Sequence, residues 1–302
     1  MEIHMSFLDS RKVGALIRSF AIKPDQVKEN VSQTMASIDR MHSVQIGGKP
    51  YISRYEVLVP KDENYTERDC GQMAELLRTE VTKAGYKNVH VSEVQHGDLF
   101  VGVLNYGIAK LLRAGHDYGI ILSKEAEAYF TQDAVEDLIV AAEKGARYAG
   151  IALSELTESI MQGRIANTFA KLHLLSAVQC GCYDLRNAQP KKDARIISRA
   201  QAWDGIKNFW DYDLKGVEEI ILLIRLVRTF GPCIAPILPR GDDVKVWKMP
   251  DPQHDPAGYA RSVNKLGTKF VRQSHFADLE HADLSYLMGG VMEGYRHPNY
   301  IK

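Results

Sequence analysis

The 302-residue sequence predicts an α/β fold, a mostly parallel sheet covered by helices on both faces. Three observations lead there. Short apolar runs of strand length alternate with amphipathic stretches of helix length from residue 13 to about residue 153, the rhythm of successive βαβ units. The run Tyr118-Gly119-Ile120-Ile121-Leu122 is short and β-branched, as a strand buried on both faces should be. The chain is also 45% hydrophobic and 25% charged, which suits an ordinary globular core rather than a disordered or fibrous chain.

Val13 to Arg18 is the first expected strand. A helix follows from Pro24 or Asp25 to Met41, with Val27, Val31, Met35 and Ile38 on one face. Tyr55 to Val59 is the second strand, ended by Pro60. A polar loop then leads to a helix over Glu67 to Ala84, closed by Gly85. Val89-His90-Val91 is a weaker third strand. Gly97 to Ala114 places Leu104, Ile108, Leu111 and Leu112 on one helical face. After the 118–122 strand comes the polar cluster Ser123-Lys124-Glu125-Ala126-Glu127. A helix starts near Thr131 or Gln132, stops at Gly145, and precedes a strand from Tyr148 to Leu153.

The second half loses the rhythm. Ser154 to Gly163 is helical or loop, Asn167 to Leu175 holds Phe169, Leu172 and Leu175, and Gln179 to Arg186 is expected to turn. Ala188 to Ala202 is a polar, basic surface excursion. Trp203, Phe209, Trp210 and Tyr212 suit either a platform for a sugar face or satellite packing. A helix from Val217 to Phe230 is halted by Gly231-Pro232, Ile234 to Leu238 is a late strand, and 240–260 is a long loop. Helical segments near Tyr259–His275 and Ala282–Met292 finish the chain. Lys269, Arg272 and His275 share a helical face that suits solvent or a phosphate.

Lysine plus arginine equals aspartate plus glutamate at 38 each, so no long-range field points to nucleic acid. Cys70, Cys180, Cys182 and Cys233 are too scattered for a disulfide framework, and the Cys180-Gly181-Cys182 spacing suits free thiols rather than a zinc knuckle. The N-terminus shows no cleavable signal, and the 217–230 helix is too short and charged to span a bilayer, so a cytoplasmic chain without an integral membrane segment is expected. The first strand is followed by no glycine-rich phosphate loop, which excludes P-loop hydrolases and argues against nicotinamide dehydrogenases.

Acidic residues just past a buried strand stand where open α/β sheets bind ligands. Glu125 and Glu127 after the 118–122 strand are therefore candidate metal ligands.

The order of these features resembles the GT-A glycosyltransferases, particularly the large inverting family 2, over roughly residues 13–239. The resemblance rests on the turn Ile17-Arg18-Ser19-Phe20, the acidic loop Val59-Pro60-Lys61-Asp62-Glu63 and the helix opening Leu104-Asn105-Tyr106-Gly107-Ile108. It continues with Ser123-X-Glu125 or Glu125-X-Glu127 in place of an Asp-X-Asp metal motif, then Cys180-Gly181-Cys182-Tyr183-Asp184, and finally Glu218-Glu219 opening a helix. The departures are glutamate or serine where aspartate is usual, Pro60 and Lys61 ahead of Asp62, and a Glu-Glu pair where Glu-Asp is usual.

The resemblance implies a GT-A-like domain over 1–239, with a nucleotide-binding half at 13–153, an acceptor half at 154–239, and a loop and helical extension over 240–302. It implies a nucleotide-sugar donor contacted by Arg18, Asp62, Asn105 and Ser123, a divalent cation (Mn or Mg) held by Glu125 and Glu127, and Glu219 or Glu218 as the base. The activity implied is transfer of a sugar, with inversion, to an acceptor the sequence does not name. A catalytically degenerate GT-A-like binding or scaffold protein is one alternative, favoured by the altered acidic motifs. A nucleotidyltransferase, using a similar sheet and metal, is another.

Overall fold

The structure, a computed structural model, describes residues 12–19, 24–61, 70–95, 100–122, 130–151, 169–183, 219–237, 251–260, 263, 277, 280–282 and 285–295. Its strands are β1 (Val13–Arg18), a small hairpin of β2 (Gln45–Ile46) and β3 (Lys49–Pro50), β4 (Arg54–Lys61), β5 (Val89–Gln95), β6 (Tyr118–Leu122), β7 (Tyr148–Ile151), β8 (Phe169–His173) and β9 (Ile234–Ile237). Its helices are α1 (Val27–Ser43), entered through a 3-10 turn at Pro24–Gln26, α2 (Cys70–Lys83), α3 (Phe100–Arg113), α4 (Gln132–Glu143), α5 (Leu174–Gln179), α6 (Glu219–Phe230) and α7 (Ser285–Gly289).

The described strands, hairpin aside, form one seven-stranded sheet in the order β5-β4-β1-β6-β8-β7-β9. β8 runs antiparallel to both neighbours, and every other pair in the sheet is parallel except through it. Side chains alternate across the sheet, and two cores follow. On one face Ala15, Ile17, Val57, Ile120 and Ala235 meet α1, α2 and α4 through Ile38, Leu77 and Leu138. On the other, Leu16, Ile121, Leu172 and Ile234 meet α3, α5, α6 and α7 through Leu111, Ala177, Leu223 and Leu287. The chain therefore adopts the expected α/β architecture, a mostly parallel sheet between two helical layers.

Local chemistry explains most boundaries. Thr131 caps α4, its hydroxyl accepting the Ala134 N–H at 3.2 Å, and Gly145 ends it with φ 100°, a left-handed conformation that favours glycine. Pro60 does not end β4 as expected. Leu58 turns its carbonyl toward β1, where it accepts the Ser19 N–H at 3.0 Å, so Pro60, two residues on, turns its nitrogen to the same side. β1 pairs no further than Arg18 with Leu58, and the missing donor is never required. β5 runs to Gln95, four residues beyond the expected Val91, held by seven rungs to β4.

β8 is the element the sequence conceals. Phe-Ala-Lys-Leu-His carries a lysine and a histidine, yet Lys171 is 3% exposed, with its ammonium 4.4 Å from the centre of the Tyr118 ring and 5.6 Å from that of Tyr51. The cation is held by π faces and by the Leu138 carbonyl at 3.5 Å.

Candidate functional site

The sheet has a topological switch point. From β1 the chain moves outward to β4 and β5, then crosses to β6 on the other side of β1. The strand order reverses there, with α1 after β1 and α4 after β6 both packed on the face opposite α3, and ligands of open α/β sheets bind outside the carboxyl ends of the strands at such a reversal. The rim is stepped. β6 ends at Leu122 beside Ile17, whereas β4 and β5 stay paired for three residues past the Arg18–Leu58 rung, a ledge of about 10 Å.

Arg18 closes β1 at this recess and is partly exposed. Ser19, 5% exposed, follows it. The Thr34 hydroxyl donates to the Asn30 carbonyl at 2.7 Å, so in the 2.5 Å contact between the two hydroxyls Ser19 donates to Thr34. That direction leaves the Ser19 oxygen free to act as an acceptor and ties the end of β1 to the inner face of α1. Sequence reasoning passed over this pair. Its signal was Thr34, a polar residue at helical spacing between Val27, Val31, Ile38 and Met41.

Asn105 lies on α3, and its carboxamide grips the backbone of one residue from both sides. Nδ2 donates to the Tyr183 carbonyl at 2.8 Å, and Oδ1 accepts the Tyr183 N–H at 3.1 Å. This two-point clamp holds the turn after α5, in which Gly181 (φ 82°) and Cys182 (φ 56°) are left-handed. Asp62, Ser123, Glu125, Glu127 and Glu218 lie outside the described residues, as does the aromatic stretch around Trp203 and Trp210. Glu219 is the first residue of α6. That helix leads directly into β9, so its N-terminus stands at the carboxyl edge of the sheet.

Among the described residues no group of three or more His, Cys, Asp or Glu is placed to hold a metal ion. None of their helices is long and apolar enough to cross a membrane. Burial raises the thiol of Cys182, and it pushes that of Cys233 up to about 12, so both favour the protonated, unreactive form at neutral pH.

No family model matches the chain, and no curated protein matches its sequence. Among solved structures, a cytidylyltransferase from Leptospira borgpetersenii serovar Hardjo-bovis (strain JB197) is similar at 12% identity and a TM-score of 0.37, over 57% of this chain. The chain spans 64% of that protein's length. A likeness this coarse decides neither fold nor function.

Proposed function

We propose that the chain transfers a sugar from a nucleotide-sugar donor, with inversion, in the recess at the carboxyl ends of β1 and β6. The observation that carries the reading is the switch point itself, lying behind the ledge of β4 and β5 with Arg18 at its floor. A guanidinium there suits a diphosphate, which it meets with paired donors.

The chemistry makes two demands. An acceptor hydroxyl is a poor nucleophile, so a carboxylate must take its proton, and Glu219 or Glu218 at the head of α6 has that role in this reading. The leaving nucleoside diphosphate gains negative charge, which a divalent cation held by Glu125 and Glu127 would neutralise. Asp62 and Ser123 would contact the donor. The clamp on Tyr183 gives Asn105 a second task, holding the acceptor-side turn.

Thermal melting of the full chain with manganese and a panel of nucleotide-sugars tests this. One donor should raise the Tm, and Glu219→Gln should keep that shift while losing transfer. A response to nucleoside triphosphate plus sugar phosphate alone would replace the reading with nucleotidyl transfer. No response to either set would leave a non-catalytic scaffold.

A further inference from the structure

Helix α6 buries Ile220, Ile221, Leu222, Leu223, Ile224, Leu226 and Val227. Ridge-into-groove packing of these side chains seats the helix on its neighbours, and directional polar contacts add a further constraint on its turn and level. Among the described residues, α6 is anchored by polar contacts in its second half. Arg225 donates to Glu280 Oε1 from Nε at 3.2 Å and from Nη2 at 2.6 Å. Arg228 reaches Oε2 from Nη1 at 3.4 Å and donates from Nη2 to the Glu280 carbonyl at 2.5 Å. The acid is 9% exposed and stands on a turn closed by its own N–H to the Ala277 carbonyl at 2.9 Å.

That turn belongs to a stretch bound to the sheet. The Cys233 and Ile234 N–H groups both donate to the Gly290 carbonyl, and the Met292 N–H donates back to Ile234. Val291 thereby pairs with the outer edge of β9. Gly290 is required there, because a Cβ would stand 2.2 Å from Val227 Cγ2. Glu280 is thus referenced to the sheet, and two arginines one turn apart on α6 are referenced to Glu280.

We infer that Glu280 is a positioning residue: it fixes the rotation and axial level of α6, and with them the place of Glu219 at the carboxyl edge. Glu219 is six residues from Arg225, about 9 Å along the axis, so a shift at the arginines is carried to the first turn. The catalytic consequence rests on the transferase reading; the structural one does not.

The test uses the full chain with Glu280→Gln, Glu280→Asp and, should Gln prevent folding, Arg228→Lys. Donor affinity should stay within about twofold, while kcat falls about tenfold to a hundredfold, since a ~1 Å misplacement can have that effect. Amides of residues 220–224 should exchange about tenfold faster than in the parent chain, with Glu280→Asp recovering part of both losses. A folded variant with parental kcat and parental exchange in 220–224 overturns the inference. If the parent transfers no sugar from any donor, the transferase reading fails, and the exchange measurement alone decides the role of Glu280.

Discussion

Strands β4 and β8 each carry one charged side chain into the interior, on opposite faces of the sheet, and they stabilise it by different means. Glu56 is fully buried on β4 and meets ions: Arg54 Nε at 2.7 Å and Lys110 Nζ at 3.4 Å. Both cations are about a quarter exposed, so the carboxylate is tied to water through them. Lys171 on β8 meets the faces of Tyr118, which is buried, and Tyr51, which is half-buried; burial of its hydroxyl, and then the nearness of Tyr118, raises the Tyr51 hydroxyl far above its ordinary range. A carboxylate near the sheet's outer strands can borrow solvated partners. Among the described residues, an ammonium under α4 in the middle of the sheet meets π electrons and a carbonyl. The first arrangement should bend under mutation and the second should break.

The sharpest test reverses the charge at Lys171. Lys171→Glu sets a carboxylate against two negative ring faces and a carbonyl, and should cost about 3–5 kcal/mol, read as a large fall in the urea midpoint or as loss of soluble protein. Survival of the fold within about 1 kcal/mol would mean the site opens to water and is no cage.

Next comes Gly107, which lets α3 approach β1 and β4 closely: a Cβ there would lie 2.7 Å from both Leu16 Cδ2 and Leu58 Cδ1. Gly107→Ala should destabilise by about 1–3 kcal/mol through overpacking. It should also move Lys110 away from Glu56, so Lys110→Ala should matter less in that background than in the parent, as a double-mutant cycle would show.

A milder change is Glu56→Gln, which keeps the shape and one acceptor for Arg54. About 1–2 kcal/mol should be lost, because the cations that remain can turn to solvent. A loss as large as that at Lys171 would erase the contrast between the strands.

The smallest effect is in pH. Burial first, and the Arg54 charge next, lower the pKa of His90 beside the Glu56 cluster. The folded state therefore disfavours the proton, so its stability holds above the ordinary value of 6.5 and declines as pH falls through it. His90→Gln should flatten the unfolding free energy between pH 7.5 and pH 5.5 by an amount on the order of a few tenths of a kcal/mol. His116, also lowered by burial, stays in both proteins and cancels from the comparison.

The same contrast shows what could be read from sequence. β1 and β6 match their expected bounds because each is an uninterrupted apolar run, and α4 because its cap and stop residues act locally. β8 was missed because Lys171 and His173 look like surface residues until Tyr118, Tyr51 and the α5 cap are in place around them. His173 accepts the Ser176 N–H at 3.2 Å, a partner that is visible only once α5 exists. Pro60 misled for the opposite reason: a strand-breaking residue is harmless where the neighbouring strand has already stopped. Of the candidate site, Arg18 and the head of α6 fall at the carboxyl edge, and Asn105 has a partner 78 residues away that no spacing could reveal. The candidate metal ligands fall outside the described residues, so their chemistry remains a proposal carried by the order of motifs.

The reversal of β8 has a consequence for how such a chain can change. A parallel neighbour must be reached by carrying the chain back across the whole sheet, whereas β7 finishes and β8 starts at one and the same margin. The return from Ile151 to Phe169 therefore needs no crossover of the sheet, β7 and β8 being joined by three rungs. Length can vary between those two strands without changing the order in which the sheet is laid down, which is how a fixed scaffold accommodates loop insertions.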